Sequence, residues 1–530
     1  MNGKEDDSPT DKDDRFRPLS VMSEVEVPDA DLITGRSTDQ IKRSHRAADR
    51  LQRDLLDGLL SDRLLLGSLA EIRERYSLGH GTCREAVGIL ELRGVCKLRL
   101  GRGGGLMAVL PRLDDLARLT LLHLYVKRST THELIEARQI IYLSALHHVF
   151  EQERQSKAVD GTGAGPACDR AQEGWHGPSA YSDWLADCTG NRAFRFAIQF
   201  IEVLCDIHLE LAKEHPPEMP ARNIQREAGA LQRVMSCRNL QTAREALVDY
   251  LHLTQRISPD EAIRGSSLLY NWHSTKTGRS ARHLAMRLIE DVFVFPVEEG
   301  GDLGSEFEIG ARHNANATIV RQAIRLLEDL AIAIPRRGRG GGIDVRSPDV
   351  SSIVGLVPHI LGQEQLKLSE CFEAAGMLDV EIARAAAARA GKGVKGKMRE
   401  HGNSRTPTLA QLISLEQSIA DLSGNSVLAA CERGFLMYAC TIEPVAGAEA
   451  PPSAMVKRVL SMIRDVEKCV AAGDVLGAEA AALRKHRLMA LRFLPARGSR
   501  SEIEGLSGLS IVSARERQLA GIGADVKGRP

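Results

Sequence analysis

The chain has 530 residues, of which 43% are hydrophobic and 4% aromatic, and its 70 Lys and Arg residues balance 70 Asp and Glu residues. This length predicts several domains, and the composition is that of a folded protein richer in helix than in sheet. The zero net charge gives no evidence for a nucleic-acid partner, but it conceals an uneven distribution. Residues 1–35 carry ten acidic and four basic residues, whereas residues 36–110 carry fourteen basic and nine acidic residues.

The cysteine pattern and the hydropathy exclude two further classes of protein. The ten cysteines include no Cys-x-x-Cys pair, so neither a zinc knuckle nor a redox dithiol is indicated. No secretory signal pattern follows Met1, and no stretch approaches eighteen apolar residues. We therefore expect a cytoplasmic protein that does not span a membrane.

An internal repeat is the most informative feature of the sequence. Three pairs of segments match at displacements of 237, 237 and 234 residues: Gly101–Gly105 with Gly338–Gly342, Arg84–Val87 with Arg321–Ile324, and Thr189–Asn191 with Ser423–Asn425. Landmarks that keep almost one offset over more than a hundred residues predict a tandem duplication.

Hydrophobic periodicity in the first copy predicts three helices followed by a hairpin. The helices are expected at 47–60, 69–76 and 81–93, and Gly79 provides the tight turn before the third. Cys83, Val87 and Leu90 form the stripe that this third helix should bury. A two-stranded hairpin is expected at 95–100 and 106–110, which completes the order of a winged helix-turn-helix. The second copy repeats this order, with helices at 281–293, 306–313 and 317–330 and a hairpin around 338–342.

Beyond each wing the sequence is helical for more than a hundred residues, which predicts an all-helical bundle of about six helices. The expected helices lie near 114–127, 131–155, 179–188, 191–213, 223–237 and 240–256 in copy one, and near 350–363, 367–390, 408–422, 425–440, 454–472 and 475–493 in copy two. The expected fold class is mainly α, with two winged helix-turn-helix domains that carry a small β-wing, each followed by a helical effector domain. The predicted organisation is a disordered acidic arm (1–39), a first winged helix-turn-helix (40–111), a first helical domain (112–258), a linker (259–279), a second winged helix-turn-helix (280–347), a second helical domain (348–493) and a tail (494–530).

The sequence resembles the GntR family of transcription regulators. The winged-helix part of the resemblance rests on Glu71-Ile72, Arg84-Glu85-Ala86, Gly94-Val95 and Gly101–Gly104. The helical half, with Thr-Gly-Asn or Ser-Gly-Asn, is similar to the C-terminal (FCD) domain of the FadR-like subgroup. The resemblance covers nearly all of residues 40–493, because each half of this range resembles one complete member of the family. It implies a sequence-specific DNA-binding regulator, acting as a repressor on a double-stranded operator.

The resemblance also implies which residues contact DNA. The family's recognition helix begins with a Ser-Arg-x-Thr-x-Arg pattern, whose last three polar positions fall on His80, Thr82 and Arg84 in copy one and on Ala317, Ile319 and Arg321 in copy two. Thr318 is a further polar candidate. On the two wings, the expected contacts are Arg102, Gly103, Arg339 and Gly340. Because copy one keeps more of the polar pattern, it is expected to be the stronger DNA reader.

Two of these features have other interpretations. The Gly-Arg-Gly-Gly-Gly segment could cradle a phosphate, but it lacks the Gly-Lys-Ser/Thr ending of a nucleotide-binding loop and follows a helix-turn-helix pattern. Arg84 taken alone could be a solvated helix residue. The turn, the wing and the repeat together favour an arginine that reads DNA.

The FadR-like effector domain typically holds a divalent metal, but the implied ligand positions are mostly lost here. They fall on Pro178, Ser182, Ala228 and Tyr250 in copy one, and on Leu412, Glu416, Ile463 and Lys485 in copy two; a small shift of register brings in His252 and His486. Neither set encloses a metal that needs four to six ligands, so no metal or other cofactor is expected. A lone helical histidine is ordinarily solvated or a core residue. Arg138 matches a family arginine near the effector pocket.

The sequence therefore predicts a DNA-binding regulator without catalytic activity. Its two copies are expected to pair as an intramolecular pseudo-dimer, with a homodimer as the alternative. An interaction protein with degenerate DNA binding remains a second interpretation. A fused enzyme of the aminotransferase type is a third, but the second half repeats the wing and shows no βαβ pattern. Neither the operator nor the presence of a small-molecule effector follows from the sequence.

Overall fold

The structure is a computed structural model, and it is mainly helical with two small antiparallel sheets. It describes residues 43–60, 65–99, 104–109, 111–160, 180–211, 224–263, 276–294, 302–336, 342–345, 350–364, 366–390, 419, 422–442 and 453–493. The predicted acidic arm and tail lie outside the described residues.

The first described domain has the order of a winged helix-turn-helix. Its elements are α1 (Arg43–Leu60), β1 (Leu65–Gly67), α2 (Leu69–Arg75), α3 (His80–Leu92), β2 (Cys96–Arg99) and β3 (Gly105–Ala108). Ser68 begins α2 through a capping box with Glu71, which satisfies two amide donors at the helix start. The predicted stripe of α3 is confirmed, since Cys83, Val87 and Leu90 are buried.

The wing contains one strand more than the sequence predicts. Strand β3 pairs with β2 and also with β1, so the sheet has the order β1-β3-β2. Gly105 allows the close approach of β1, because a Cβ on this residue would lie 2.4 Å from the backbone oxygen of Gly67. A strand of three residues carries too little alternation to be recognised in the sequence.

The described part of the first helical bundle contains six helices, which follow the predicted ones within a few residues. They are α4 (Leu113–Val126), α5 (His132–Asp160), α6 (Ala180–Thr189), α7 (Arg192–Leu211), α8 (Ile224–Ser236) and α9 (Leu240–Leu253). The residues that open the predicted linker pack against this bundle. Ala262 forms a β-bridge with Thr130, and the side chains of Ile257 and Ile263 are buried.

The second half follows a similar order of elements, with an isolated bridge between Asp302 and Asp344 in place of strand β1. Its elements are α10 (Lys276–Val294), α11 (Glu306–His313), α12 (Ala317–Asp329), β4 (Ala333–Pro335), β5 (Ile343–Val345), α13 (Ser351–Val354), α14 (Val357–Gln363), α15 (Leu368–Ala390), α16 (Ser426–Ile442), α17 (Ser453–Ala471) and α18 (Val475–Phe493). The helix predicted near 350–363 is divided into α13 and α14. Pro358 lies in the first turn of α14, where proline is favoured because the first amides of a helix have no partner inside it. The helix predicted near 408–422 lies almost entirely outside the described residues.

The two bundles meet through contacts that are matched in the two halves. The side-chain nitrogen of Asn191 donates to the backbone oxygen of Glu370 (3.1 Å) and to the carboxylate of Glu373 (3.1 Å). In return, Asn425 donates to the backbone oxygen of Glu133 (2.8 Å) and to the carboxylate of Glu136 (3.0 Å). The displacements between the paired residues are 234 for the asparagines and 237 for the glutamates. Such reciprocal contacts are the pattern of a twofold-related interface.

A buried ionic cluster lies across the same interface. His147 and Arg244 come from the first bundle, and Glu381 and Glu479 come from the second. His147 Nδ1 lies 2.9 Å from Glu381 Oε1, and Arg244 donates to Glu381 and, at 3.2 Å, to Glu479. Burial raises the pKa of Glu381, but the hydrogen bond from His147 and the charge of Arg244 outweigh it and hold this pKa below its usual value.

No helix within the described ranges is both long and apolar enough to cross a lipid bilayer.

Candidate nucleic-acid interface

The first recognition helix, α3, presents its N-terminal turn to solvent. Gly79 is the N-cap residue, His80 and Arg84 are exposed, and Thr82 is half-buried. The opposite face of the helix packs into the domain core, so the polar residues that the sequence predicts for DNA contact lie together on the outer face. Their positions agree with the interpretation, and their contact with DNA stays a prediction.

Arg84 places an exposed guanidinium on this helix. Among the residues that the structure describes, no acidic group forms an ion pair with it. Lys97 and Arg99 are exposed on wing strand β2 of the same domain. An exposed guanidinium on the first turns of a helix, with further basic residues on the adjacent hairpin, can contact base edges and phosphates of one duplex.

The second recognition helix, α12, has the same geometry and a different charge state. Asn316 caps its N-terminus by accepting a hydrogen bond from the amide of Ile319, and Thr318 and Arg321 are exposed. Nε of Arg321 lies 3.0 Å from a carboxylate oxygen of Glu306, the first residue of α11. Glu306 therefore neutralises the arginine that would face DNA.

Arg336, the described arginine of the second wing, is neutralised in the same way. Arg336, at the end of β4, forms an ion pair with Asp302, and its Nε lies 3.2 Å from Asp344 on the neighbouring strand. The described parts of the two winged helices thus present chemically different surfaces: Arg84, Lys97 and Arg99 of the first form no ion pair with a described residue, whereas Arg321 and Arg336 of the second are paired with acidic groups.

The predicted wing-tip contacts Arg102, Gly103, Arg339 and Gly340 lie outside the described residues. The last glycine of each Gly-rich segment is described, and packing explains it. A Cβ on Gly342 would lie 2.3 Å from Asp302 Oδ1, as a Cβ on Gly105 would clash with strand β1. Gly105 is therefore required by the sheet itself, whereas Gly342 makes room for the Asp302 carboxylate.

The two recognition helices contact each other. Arg325 of α12 lies 3.6 Å from the carboxylate of Glu85 on α3. At a rise of about 1.5 Å per residue, the contact lies about 8 Å from the start of α3 and about 12 Å from the start of α12. With the reach of two side chains added, the two N-termini are within about 35 Å of each other, which is about one turn of B-DNA.

Arg138, the residue predicted for an effector pocket, lines a small cavity of about 50 Å³ between α5, α7 and α9. Its Nε donates to Glu202 at 2.6 Å, and its guanidinium lies 5.3 Å from the centre of the Tyr142 ring. Because Glu202 already balances this charge, an anionic ligand would have to displace that carboxylate. The cavity is too small for most ligands of that kind.

In the first bundle, Tyr250, one of the positions implied for metal ligands, belongs to an aromatic cluster, and Pro178, another of them, lies outside the described residues. The rings of Tyr181 and Tyr250 lie 4.6 Å apart, and Tyr181 stacks against Tyr142 and Trp184 at 5.8 and 5.3 Å. Packed aromatic rings therefore fill this part of the core. The exposed His252 lies at the mouth of the Arg138 cavity.

In the second bundle, a buried ion pair occupies the equivalent place. Lys485 Nζ lies 2.8 Å from Asp379 Oδ2, and the two side chains are 0% and 1% exposed. Asp379 is displaced by 237 residues from Tyr142, and Lys485 by 235 from Tyr250. The ammonium of Lys485 thus brings a positive charge to a position where the family resemblance implies a metal ligand.

His486, the alternative metal ligand implied by the resemblance, is buried in the second bundle. Its ring packs against Gly376, where a Cβ would lie only 1.7 Å from Nδ1 of the histidine. Burial, together with the charge of Lys485, lowers the pKa of His486 to about 3. Among the described residues, no group of three or more potential metal-binding side chains occurs. Glu416, the remaining implied ligand, lies outside the described residues.

One cluster between the two winged helix-turn-helix domains was not predicted from the sequence. Arg93 and Asp329, at the ends of the two recognition helices, form a buried ion pair 2.7 Å long. Each residue follows an amphipathic helix and looks like an ordinary solvated charge, so the sequence carries no local signal for the contact.

Comparisons with known proteins add little to this geometry. No family model and no curated protein matches the chain. The solved structure of Streptococcus agalactiae GntR matches with 18% identity over 40% of this chain and 98% of that chain, with a TM-score of 0.26. A TM-score this low does not establish a shared fold.

Proposed function

We propose that this protein is a sequence-specific DNA-binding transcription regulator that reads its operator mainly through the first winged helix-turn-helix. The observation that carries the proposal is the exposed start of α3. Arg84 there has no acidic partner among the described residues, and Thr82 precedes it by two residues on the same helix. The N-terminal part of a recognition helix enters the major groove, and an arginine there can donate two hydrogen bonds to guanine.

The second winged helix-turn-helix contributes less to DNA affinity in this proposal. Glu306 accepts from Nε of Arg321 and offsets its charge, which leaves the Nη groups for DNA, and Glu306 itself would repel a phosphate. The neighbouring Ala317 and Ile319 offer no side-chain hydrogen bond. The second domain then serves chiefly as the structural partner of the first.

We further propose that the chain is a tandem duplication whose halves pair in cis. The matched contacts of Asn191 and Asn425 support this proposal, as do the capping boxes at Ser68 and Ser305, which are 237 residues apart. One chain would then present two unlike recognition helices to one asymmetric operator, within about one turn of DNA.

Selection from a random duplex library, followed by titration of the enriched duplex, tests the proposal. Arg84→Ala should weaken binding by about 1–3 kcal/mol, or roughly 5- to 150-fold, which is the usual value of a good arginine–base contact. Arg321→Ala should cost less, and Arg154→Ala, an exposed arginine of the first bundle, should leave affinity unchanged. Equal losses from Arg84→Ala and Arg321→Ala would contradict the ranking of the two domains.

Glu306→Gln tests the neutralisation directly. The change removes a negative charge from the DNA-facing side of α11 and releases Arg321, so affinity for the selected duplex should rise several-fold at low salt and less at high salt. Glu364→Gln provides a control at an exposed carboxylate of the second bundle. An affinity that does not respond to Glu306→Gln would show that this side of the second domain lies away from DNA.

The neutralised second surface is also the observation that favours an alternative function, a regulatory interaction protein with degenerate DNA binding. The same selection distinguishes the two functions. Enrichment of a defined sequence by the wild-type chain supports a regulator that reads DNA, and a library that stays random after repeated rounds supports the alternative.

A further inference from the structure

A buried arginine, Arg93, joins the two DNA-binding domains, beside the backbone contact of Arg282 with Glu91 and the contact of Arg325 with Glu85. Arg93 follows the last residue of α3, and its Nε and Nη2 donate to the carboxylate of Asp329, the last residue of α12, at 3.1 and 2.7 Å. Its Nη1 donates to Asp49 at 2.7 Å and to the side-chain oxygen of Gln52 at 2.5 Å, both on α1. Every arm of the guanidinium is therefore engaged, in the fixed fork geometry that arginine provides.

The contact exists once and links the two halves of the chain. At the displacement of 237, Arg93 corresponds to Leu330 and Asp329 corresponds to Leu92. The pair therefore has no counterpart related by the repeat. The side chains are only 7% and 3% exposed, so neither is available to DNA or screened by salt.

The same cluster continues into the second helical bundle. The side-chain nitrogen of Gln52 donates to the backbone oxygen of Gly355 at 2.5 Å, and Nε2 of His359 on α14 lies 3.3 Å from the backbone oxygen of Gln52. Burial lowers the pKa of His359 to about 4, so this ring is neutral near pH 7 and donates from Nε2 to the carbonyl. The first DNA-binding domain is thus held against the second domain and the second bundle together.

The position of the pair determines what it controls. The pair joins α3 and α12 at their C-terminal ends. The N-terminal ends of both helices lie far from this contact. Loss of the contact between Arg93 and Asp329 would alter the separation and the angle of the two helix N-termini, because each helix is rigid over its thirteen residues. The separation of two recognition elements is what fixes the spacing of half-sites in an operator.

From this geometry we infer that Arg93 and Asp329 are positioning residues that set the separation of the two recognition helices and thereby the half-site spacing that the protein accepts. This inference rests on the proposed DNA-binding function for its consequence, but the separation itself can be measured without DNA. The pair contacts no nucleotide; it acts through the helices that it joins.

The first measurement is the distance between the two domains in the free protein. Spin labels attached through genetically encoded ketone side chains at the exposed Glu74 and Ala311, which are 237 residues apart, report this distance without using the native cysteines. The wild-type chain should give one narrow distribution, and Asp329→Asn should give a broad one. Asp187→Asn, which removes the same charge from an exposed ion pair with Arg195, should match the wild type. A narrow, unchanged distribution for Asp329→Asn would overturn the inference.

The second measurement is the tolerance for operator spacing. The duplex selected by the wild-type chain is compared with versions that carry one to four base pairs inserted at its centre. Two inserted base pairs should cost the wild type about tenfold in affinity and should cost Asp329→Asn less than about threefold. Identical spacing profiles for the two proteins would contradict the inference. If Asp329→Asn does not fold, Arg93→Lys keeps the charge, loses the fork, and should show the same flattening in milder form.

The two measurements separate the inference from the proposed function. A wild-type chain that selects no DNA sequence would refute the proposed function, while the label distances would still report whether the pair fixes the two domains. A wild-type chain that selects DNA, with a pair that affects neither distance nor spacing, would refute the inference alone.

Discussion

Replacing Asp379 with Asn should destabilise the second bundle strongly. The substitution keeps the shape of the side chain and removes the carboxylate that faces Lys485 across 2.8 Å, in a core where the two side chains are 0% and 1% exposed. The ammonium would stay in the core without this countercharge. Because burial keeps water from replacing the lost carboxylate, the cost is that of a buried charge and not that of a surface ion pair.

The magnitude follows from the geometry. Two unit charges 2.8 Å apart attract by about 6 kcal/mol at an effective dielectric constant of about 20. Desolvation of both ions offsets most of this gain in the intact pair, so the pair itself contributes little net stability. Removing one partner loses the attraction and keeps the desolvation cost of the other, which gives an expected loss of about 3–5 kcal/mol. For a bundle of this size, the loss lowers the Tm by roughly 6–20 °C.

Chemical and thermal unfolding of the full chain provides the assay. Asp465→Asn is the matched control, because Asp465 pairs with Lys468 at 3.5 Å on the surface of α17 and should contribute less than about 1 kcal/mol. The double variant Lys485→Met with Asp379→Leu replaces the pair by apolar side chains and should recover most of the loss. A loss below about 1 kcal/mol for Asp379→Asn would refute the interpretation of Lys485 as a charge that depends on this carboxylate.

Three further predictions concern acid stability, the wing and metal content. Burial lowers the pKa of His148 and His359 to about 4 and that of His486 to about 3, from 6.5 in the unfolded chain. The unfolded state therefore binds protons first as the pH falls, and each histidine should cost about 2 kcal/mol of stability between pH 7 and pH 5, measured as the urea midpoint; an unchanged midpoint would contradict it. Gly105→Ala should disrupt the three-stranded sheet, because its Cβ would lie 2.4 Å from a backbone oxygen of β1, and should reduce affinity for the selected duplex, whereas full affinity would show that the sheet can adjust. Elemental analysis of dialysed protein should find no stoichiometric transition metal, and one equivalent of zinc, nickel or manganese per chain would refute the loss of the site.

Periodicity was sufficient to predict most helices, because each carries a continuous buried stripe that the sequence displays directly. The stripe of Cys83, Val87 and Leu90 fixes both the extent and the orientation of α3. The same helical periodicity predicts that His80 and Arg84 lie on the exposed face of this helix. Strand β1 escaped prediction because three residues are too few for an alternating pattern, and the pairing with β3 depends on Gly105, which is distant in sequence.

The charges that modify the candidate site could not be predicted, because they are contacts between elements. Glu306 and Arg321 are fifteen residues apart, and only the angle between α11 and α12 brings them together. Arg93 and Asp329 are 236 residues apart, and neither carries the mark of a buried residue in its local sequence. The repeat predicts which positions are equivalent, but these interactions arise where the two copies differ, so equivalence alone does not find them.

The most direct test of the central claim is the stoichiometry and symmetry of the DNA complex. Light scattering gives the number of chains on the duplex that the wild-type protein selects, and footprinting of the same complex gives the extent and symmetry of the contacts. The account predicts one chain on an asymmetric site, with the stronger half-site lost in Arg84→Ala. Two chains on a perfect palindrome, each contacting its half-site through the first domain, would contradict the pseudo-dimer, and the absence of any selected sequence would contradict DNA recognition itself.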